Sequence, residues 1–238
     1  YATAEADMRD CVCESFGWSS EGFYEVDWLS YARARRKIHS SLTIFTTKLL
    51  IGWLPTQTRL HKYDPKLSTQ CPLCSKEPET SDHPWQCSSS LEWRIMTVHD
   101  INTFMEKIGT CPAIQSELCI TLRAAFRLSE QMPTWYPYAP ELFLTGVLPR
   151  EFTAHQSWHL LQPNAKPGKS GNQWASSLFQ YLWTKLHDRW KMRCRQVHDS
   201  SIDLHRTIVV SQATTMLDLF SQVDNYYRDL FPPDRPTF

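Results

Sequence analysis

Four residues in the middle of the chain have the types and the spacing of a zinc site. Two residues separate Cys71 from Cys74, eight more precede His83 and three more precede Cys87, which gives C-x2-C-x8-H-x3-C. Zinc binds thiolate and imidazole ligands in a tetrahedron, and a two-residue gap lets one tight turn direct two thiolates at the same ion. The second pair is spaced to lie one turn apart at the start of a helix, where Pro84 is compatible with the first turn.

The predicted ion is structural rather than catalytic, because four protein ligands leave no open position for a substrate. In zinc-finger peptides such an ion supplies about 10–16 kcal/mol of apparent free energy, enough to hold a short loop that has no core of its own. The alternative is that the four residues are unrelated and that Cys71 and Cys74 are free thiols.

The remaining cysteines and two paired histidines have weaker patterns. Cys11 and Cys13 could join a metal or a redox pair, but the surrounding acidic segment offers no spaced partners. His155 and His159 share a predicted helix face without an acidic or cysteine partner nearby, so we interpret them as solvated or core histidines. Three cysteines are predicted to be small buried apolar residues: Cys111, Cys119 and Cys194.

Helices are predicted to position the zinc ligands, because apolar residues recur at three- and four-residue spacing along most of the chain. The predicted helices lie at about 28–53, 91–108, 112–125, 140–161, 174–197 and 209–230. The helix at 174–197 carries five bases: Lys185, Arg189, Lys191, Arg193 and Arg195. No run alternates with period two for long enough to require a sheet. The predicted fold class is therefore mainly α, a helical domain with an embedded small structural zinc knuckle.

Composition divides the chain into four predicted regions. They are an acidic N-terminal lead at 1–27, a basic helix with the zinc knuckle and following helices at 28–128, a Pro- and aromatic-rich connecting region and linker at 129–171, and a C-terminal helical hairpin at 172–238. The sequence begins with Tyr1 rather than Met, which suggests a fragment of something longer or a trimmed chain.

Several passages resemble a known family. The segment Thr47–His61, then Cys71-Pro-Leu-Cys74, the segment Glu79–His83, Cys87 and Trp93-Arg94 together resemble the zinc-binding region that follows the reverse transcriptase domain of non-LTR retrotransposon (LINE-like) polyproteins, as found in algae and other protists. The segment Leu182–Trp190, with Arg193, Val197 and His198, is more loosely similar to the helical tail of such proteins. The resemblance implies that Cys71, Cys74, His83 and Cys87 are the ligands, and that the region helps to hold template RNA or target DNA.

Charge is unevenly distributed although the chain is neutral overall, with 25 bases and 25 acids. Residues 1–27 contain seven acids and one base, whereas residues 28–66 contain eight bases and one acid. If the resemblance holds, this basic stretch is where the phosphates of a nucleic acid would bind, and that binding would weaken steeply as the salt concentration rises. The alternative is a solvated helix face neutralised by the acidic lead. The predicted nucleic-acid-binding residues are Arg33, Arg36, Lys37, Lys48, Arg59, His61 and Lys62.

The predicted function is a non-catalytic, zinc-stabilised nucleic-acid-binding module related to the C-terminal part of a retroelement reverse transcriptase. The alternative is a zinc-stabilised protein-interaction or scaffold module, or a domesticated relic without nucleic-acid binding. No enzyme is predicted, because the chain lacks the polymerase Tyr/Phe-x-Asp-Asp motif, endonuclease and RNase H carboxylate sets, a P-loop and an HExxH helix.

The sequence also predicts partners and a compartment. RNA or DNA is the expected partner, together with a polymerase domain in a longer parent chain, and the stripe from Val209 to Leu230 could support helix-mediated self-association. Eight cysteines without a hydrophobic signal segment indicate an intracellular protein, nuclear or cytoplasmic. The longest apolar stretch, Leu49 to Leu54, is far shorter than the roughly 20 residues that a membrane span needs.

Overall fold

Helices dominate a computed structural model of the chain, which describes residues 9–10, 12–14, 16–162 and 170–198. The helices with described bounds are α1 Ser20–Glu25, α2 Trp28–Arg35, α3 Ser40–Leu50, α4 Gln57–His61, α5 His83–Gln86, α6 Leu91–Lys107, α7 Pro112–Ala125, α8 Pro140–Thr145, α9 Arg150–Leu160 and α10 Gly171–His198. Within these ranges β-structure is limited to two isolated antiparallel bridges. The predicted fold class, mainly α with a small Cys3His loop, is confirmed.

The prediction of one helix at 28–53 is wrong, because the chain turns between α2 and α3. α2 ends at Arg35, and His39 starts α3 as a new N-cap with an extended backbone, ψ 151°. Its ring nitrogen accepts the amide of Ser41 at 3.3 Å, which satisfies one of the free N–H groups at the helix start. Arg35 then donates to Thr47 Oγ1 at 2.8 Å, so the two helices pack together. α3 buries Leu42, Phe45 and Leu49, whereas α2 buries Ser30, Tyr31 and Ala34, so the helical spacing of apolar residues does not extend back through α2.

The other predicted helices have the expected positions, with one further division. The piece at 140–161 consists of α8 and α9, because Gly146 ends α8 with a left-handed φ of +97°. The predicted helix at 209–230 and most of the predicted linker at 163–171 lie outside the described residues. No helix in the described ranges is both long and apolar enough to cross a membrane.

The chain forms two compact units, one of residues 25–194 and one of residues 1–24 with 195–238. In the described part of the second unit, Arg9 pairs with Asp10 at 2.9 Å. The division into four regions that composition predicts stays a prediction.

α10 provides much of the core of the unit formed by residues 25–194. The ring of Trp183 lies edge-on to Tyr31 of α2 at a centroid distance of 5.4 Å, and Tyr181 stacks on Phe104 of α6 at 4.2 Å. The α10 side chains Leu178, Phe179, Leu182 and Leu186 are fully buried. α10 therefore joins α2 to α6, and it is also the helix against which the candidate metal site packs.

Gly146 is expected to tolerate no side chain. A Cβ there would lie 2.5 Å from Trp183 Cζ2 and 3.1 Å from Tyr31 Cδ2, both in buried rings, on a backbone with positive φ. Replacing Gly146 by alanine should lower the free energy of unfolding by about 2–4 kcal/mol, measured by urea denaturation. Gly22→Ala is the control, because a Cβ in that helix would meet Trp18 at an ordinary 3.8 Å. A Gly146→Ala protein as stable as wild type would contradict the expectation.

Candidate metal centre

The structure brings the four predicted ligands together. Their donor atoms all lie within 4.8 Å of one another. The sulfur atoms of Cys71 and Cys87 are 3.8 Å apart, and Cys74 Sγ lies 3.4 Å from His83 Nε2. A tetrahedral zinc ion with Zn–S bonds of about 2.3 Å and a Zn–N bond of about 2.0 Å separates its sulfurs by about 3.8 Å and a sulfur from the nitrogen by about 3.5 Å. The cluster thus has the dimensions of a tetrahedral metal site.

The first two ligands lie on a tight turn that closes with backbone hydrogen bonds. The amide of Cys71 donates to Glu77 O at 2.8 Å, and the amide of Ser75 donates to Cys71 O at 2.8 Å. An antiparallel bridge between Gln70 and Pro78 flanks the turn. As the sequence predicts, the two-residue gap places both sulfurs on one turn, where they can bind the same ion.

The two thiols of this turn ionise differently. Burial raises the pKa of Cys71 to about 12. Burial also raises the pKa of Cys74. The backbone N–H groups of Lys76 and Glu77 point at its sulfur, however, and they lower this pKa to about 6. A bound metal cation deprotonates a coordinating thiol outright, so a cation would supply the charge that Cys71 needs to act as a thiolate ligand.

A carboxylate orients the imidazole of the third ligand. Oε2 of Glu77 lies 3.3 Å from Nδ1 of His83, and the His83 side chain is only 3% exposed. This contact favours the tautomer with the proton on Nδ1, which leaves the lone pair of Nε2, 3.4 Å from Cys74 Sγ, for a metal. Histidines that bind metals commonly donate their other ring N–H to a carboxylate in this way. Sequence reasoning missed Glu77, although an acid between the two ligand pairs was a usable signal.

The second pair of ligands is anchored in the helical core. Cys87 follows α5 directly and is fully buried. In α5 the buried Trp85 lies edge-on to Phe45 of α3 at 6.3 Å and tilted against Trp190 of α10 at 6.4 Å. Gln86 donates to the carbonyl of Ala125 in α7 at 3.1 Å. The knuckle is thus part of the packing of the surrounding helices.

A buried ion pair joins the loop to α10. Glu79 and Arg193 are 1% and 3% exposed, and the guanidinium binds the carboxylate through two hydrogen bonds, of which Nε to Oε1 measures 2.8 Å. The same carboxylate accepts the amide of Gln57 at 2.8 Å. Burial lowers the pKa of Arg193, but the hydrogen bond to Glu79 outweighs this effect, so the pKa of Arg193 is raised overall. The residues between the two ligand pairs are therefore held by a distant helix.

Two further buried arginines interact electrostatically with the cysteine ligands. Arg94 of α6 and Arg189 of α10 are 5% and 6% exposed. Burial lowers the pKa of each, while the charge of Cys87 raises the pKa of both and that of Cys71 also raises the pKa of Arg189. In the described part of the chain, the Nε of each arginine has no hydrogen-bond partner. A zinc ion with three thiolates and a neutral imidazole carries one net negative charge, so the surroundings fit a zinc–thiolate complex.

The predicted nucleic-acid-binding residues occupy two places. Arg33 lies in the last turn of α2, and Arg36 and Lys37 are exposed in the turn that follows it. In this group, then, the charges lie around a helix end rather than along one continuous face. Lys48 in α3 is half-buried, and burial lowers its pKa, so it is the least available of the set.

The other place is the segment beside the knuckle. The guanidinium of Arg59 lies over the Trp53 ring at 4.5 Å. His61 Nδ1 lies 2.6 Å from the carbonyl oxygen of Leu67, so this imidazole holds the local backbone. Lys62 is exposed. Of this group, Lys62 is the residue open to a phosphate.

Cys11 lies outside the described residues, and the described histidine and cysteine candidates do not join the cluster. The ring of His155 lies 6.4 Å from Trp135 and 6.0 Å from Trp158, and Cys119 donates to Asn102 Oδ1 at 3.0 Å. Among the described residues, Cys71, Cys74, His83 and Cys87 are the group that could hold a metal ion. No known protein family, no curated protein and no solved structure matches the chain.

Proposed function

We propose that the protein is a non-catalytic nucleic-acid-binding module held together by a structural zinc ion. The observation that carries the proposal is the Cys3His cluster, in which the measured separations, 3.8 Å between two sulfurs and 3.4 Å between sulfur and nitrogen, suit a tetrahedral ion. Three thiolates and an imidazole are the ligands of structural zinc sites, whereas magnesium and calcium prefer oxygen ligands.

The role of the ion is structural for two reasons. Four protein ligands complete the tetrahedron and leave no position for a water or a substrate. Three of the four, Cys71, His83 and Cys87, are buried, so solvent has little access to the ion. Bound zinc would therefore hold the loop between the two ligand pairs in place against α3, α7 and α10, and with it the basic segment that precedes the loop.

Exposed positive charge in the basic stretch supports nucleic-acid binding. Arg36, Lys37 and Lys62 are exposed in the basic stretch, and none of the ion pairs found among the described residues uses Lys37 or Lys62. Exposed lysines and arginines bind phosphates by releasing condensed counterions. The resemblance of residues 47–94 to a retrotransposon region supports the same proposal, with RNA or DNA as ligand and a polymerase domain in a longer parent chain as partner.

Nucleic-acid binding is tested with the full chain and labelled single-stranded RNA and DNA at about 50 and 200 mM salt. Binding should weaken steeply at the higher salt. The triple variant Arg36→Gln, Lys37→Gln, Lys62→Gln should reduce the slope of log affinity against log salt by about 2–3, since each lost phosphate contact removes about 0.7–0.9. Fluorescence anisotropy measures both quantities.

A matched triple variant controls for net charge in this experiment. It removes three exposed bases from other helices: Lys107→Gln, Arg123→Gln and Lys191→Gln. If the two triple variants lost the same nucleic-acid affinity, the binding would reflect nonspecific attraction to positive charge rather than a defined surface. A zinc-loaded protein that binds neither RNA nor DNA would overturn the nucleic-acid proposal and leave the zinc site intact.

A second candidate is a zinc-stabilised protein-interaction module. Trp135 and Trp158 are 53% and 61% exposed and lie on either side of His155. Large exposed aromatic side chains are typical of interaction surfaces. Only part of the predicted aromatic loop contributes, because Tyr136 is buried and donates its hydroxyl to Val147 O at 2.9 Å. Zinc binding without nucleic-acid binding would favour this candidate.

A further inference from the structure

We infer that the ring of Tyr63 is a stacking platform for one unpaired base, so that the basic segment around it binds single-stranded nucleic acid in preference to a duplex. The inference rests on the proposed nucleic-acid-binding function and adds to it a binding residue that carries no charge. It also names the chemical class of the ligand, a nucleobase whose flat face is free.

The first observation is that Tyr63 is exposed and yet held in place. Tyr63 is 52% exposed, and its amide donates to Leu60 O at 3.0 Å. Nη2 of Arg59 donates to the Tyr63 hydroxyl at 3.4 Å, while the same guanidinium lies over the Trp53 ring at 4.5 Å. The guanidinium carbon is 6.0 Å from the centroid of the Tyr63 ring, which is too far for Arg59 to be stacked on that ring. Arg59 therefore fixes the hydroxyl end of Tyr63 without covering it.

The segment that carries this ring is fixed at both ends. Before the ring, the amide of Gln57 donates to Glu79 Oε2 at 2.8 Å, and Thr58 Oγ1 donates to Glu79 O at 2.6 Å. After the ring, the chain is held by the contact of 2.6 Å between His61 Nδ1 and Leu67 O. A platform that is already fixed loses little conformational entropy when a ligand binds to it.

Exposed bases flank the ring in the chain. Lys62 and Lys66 are exposed, and neither takes part in an ion pair found among the described residues. Asp64 is the only acid between residues 57 and 69. Its Oδ1 accepts the amide of Lys66 at 3.1 Å, so this carboxylate is engaged in the local turn. The charges around Tyr63 thus suit the phosphates on either side of a stacked base.

Charge distinguishes Tyr63 from the exposed tryptophans. Trp135 and Trp158 are as exposed as Tyr63, but no lysine or arginine lies within five residues of either in the sequence. An exposed ring among bases fits a ligand that has a negative backbone and flat aromatic groups, which describes a nucleic acid. The tryptophans lack this combination and fit the protein-interaction candidate instead.

The structure of nucleic acids then gives the preference for single strands. In a duplex each base is stacked between its neighbours, so a side chain outside the duplex does not reach its face. The bases of a single strand can be splayed out and stacked on an aromatic side chain. Stacking releases no counterions from a phosphate, so the affinity that Tyr63 adds should not depend on salt.

The test compares the zinc-loaded full chain with its Tyr63→Leu variant, which keeps an apolar side chain and removes the flat ring. Affinity for labelled single-stranded RNA or DNA should fall about 10-fold, by the same factor at about 50 and 200 mM salt. Affinity for a duplex of the same sequence should stay unchanged. Tyr63→Phe keeps the ring, and it should bind single strands within a few-fold of wild type. Because Tyr63 is exposed, both variants should unfold at the temperature of wild type.

Matched variants separate stacking from charge and from a general loss of aromatic surface. Lys66→Gln should weaken binding to single strands and to the duplex, and it should reduce the dependence on salt. Tyr24→Leu removes another exposed tyrosine whose hydroxyl also accepts an arginine, Arg9, at 3.4 Å. Tyr24 lies in the acidic segment, so this variant should leave nucleic-acid affinity unchanged. The fluorescence of 2-aminopurine placed in the single strand should be quenched more strongly by wild type and Tyr63→Phe than by Tyr63→Leu.

The outcomes distinguish this inference from the proposed function on which it rests. A wild-type protein that binds no nucleic acid overturns both. Wild type that binds, with Tyr63→Leu equal to it on single strands, overturns the inference alone. Equal weakening of Tyr63→Leu on single strands and duplex, or equal weakening of Tyr63→Phe and Tyr63→Leu, also overturns it, because stacking would then not be the cause. A loss confined to single strands and restored by phenylalanine supports it.

Discussion

Replacing Cys87 by serine is expected to abolish stoichiometric zinc binding and to lower the free energy of unfolding by more than about 4 kcal/mol, because zinc binding in comparable sites supplies about 10–16 kcal/mol. Cys87 is fully buried, with its sulfur 3.8 Å from that of Cys71. Serine is a poor zinc ligand, because structural zinc sites use thiolate and imidazole ligands. Zinc content by mass spectrometry and thermal unfolding by circular dichroism measure the two effects.

Cys119→Ser is the matched control for this variant. Cys119 is half-buried in α7 and contacts Asn102 rather than the cluster, so its serine variant should keep one equivalent of zinc and lose only about 1 kcal/mol. A strong chelator added to wild type should reproduce the effect of Cys87→Ser and leave Cys87→Ser itself unchanged. A Cys87→Ser protein that retains a full equivalent of zinc would show that the cluster is not the binding site.

The ligands could be predicted from the sequence because each pair is local. Cys71 and Cys74 need one turn, and His83 and Cys87 need one short helix, so spacing alone carries the geometry. The apolar periodicity of α6, α7 and α10 is local in the same sense, and their positions were predicted. The break between α2 and α3 was missed because the apolar pattern of α3 does not extend back through α2, and because His39 is not one of the residue types that usually cap helices.

The groups around the ligands could not be predicted in this way. In sequence the bases of α10 look alike, yet the structure buries Arg189 and Arg193 and leaves Lys191 exposed. Helical spacing accounts for this difference, because Arg189 and Arg193 fall on the face of the buried Leu182 and Leu186, whereas Lys191 falls on the opposite face. The spacing does not give the partner of each buried base. The pairing of Glu79 with Arg193 joins residues 114 positions apart. Periodicity describes which face of a helix is apolar, but it does not describe which charge will find a partner there.

The pair of Glu79 and Arg193 leads to the second large expected effect. Glu79→Gln should lower the free energy of unfolding by about 3–5 kcal/mol, because it leaves the guanidinium of Arg193 buried without its counter-charge. Chemical denaturation of the zinc-loaded protein measures this loss. The exposed pair of Asp188 with Lys191, whose side chains are 55% and 49% exposed, is the comparison. Asp188→Asn should cost less than about 1 kcal/mol.

A double variant decides whether the lost charge is the cause. Glu79→Gln with Arg193→Met removes both charges, and it should be more stable than Glu79→Gln alone, because replacing both members of a buried ion pair costs less than leaving one unpaired. If the pair anchors the loop to α10 only through shape, the double variant should instead be the least stable of the three, since it loses both sets of contacts. Recovery in the double variant would therefore mean that the uncompensated charge of Arg193, rather than lost packing, destabilises the Glu79→Gln protein.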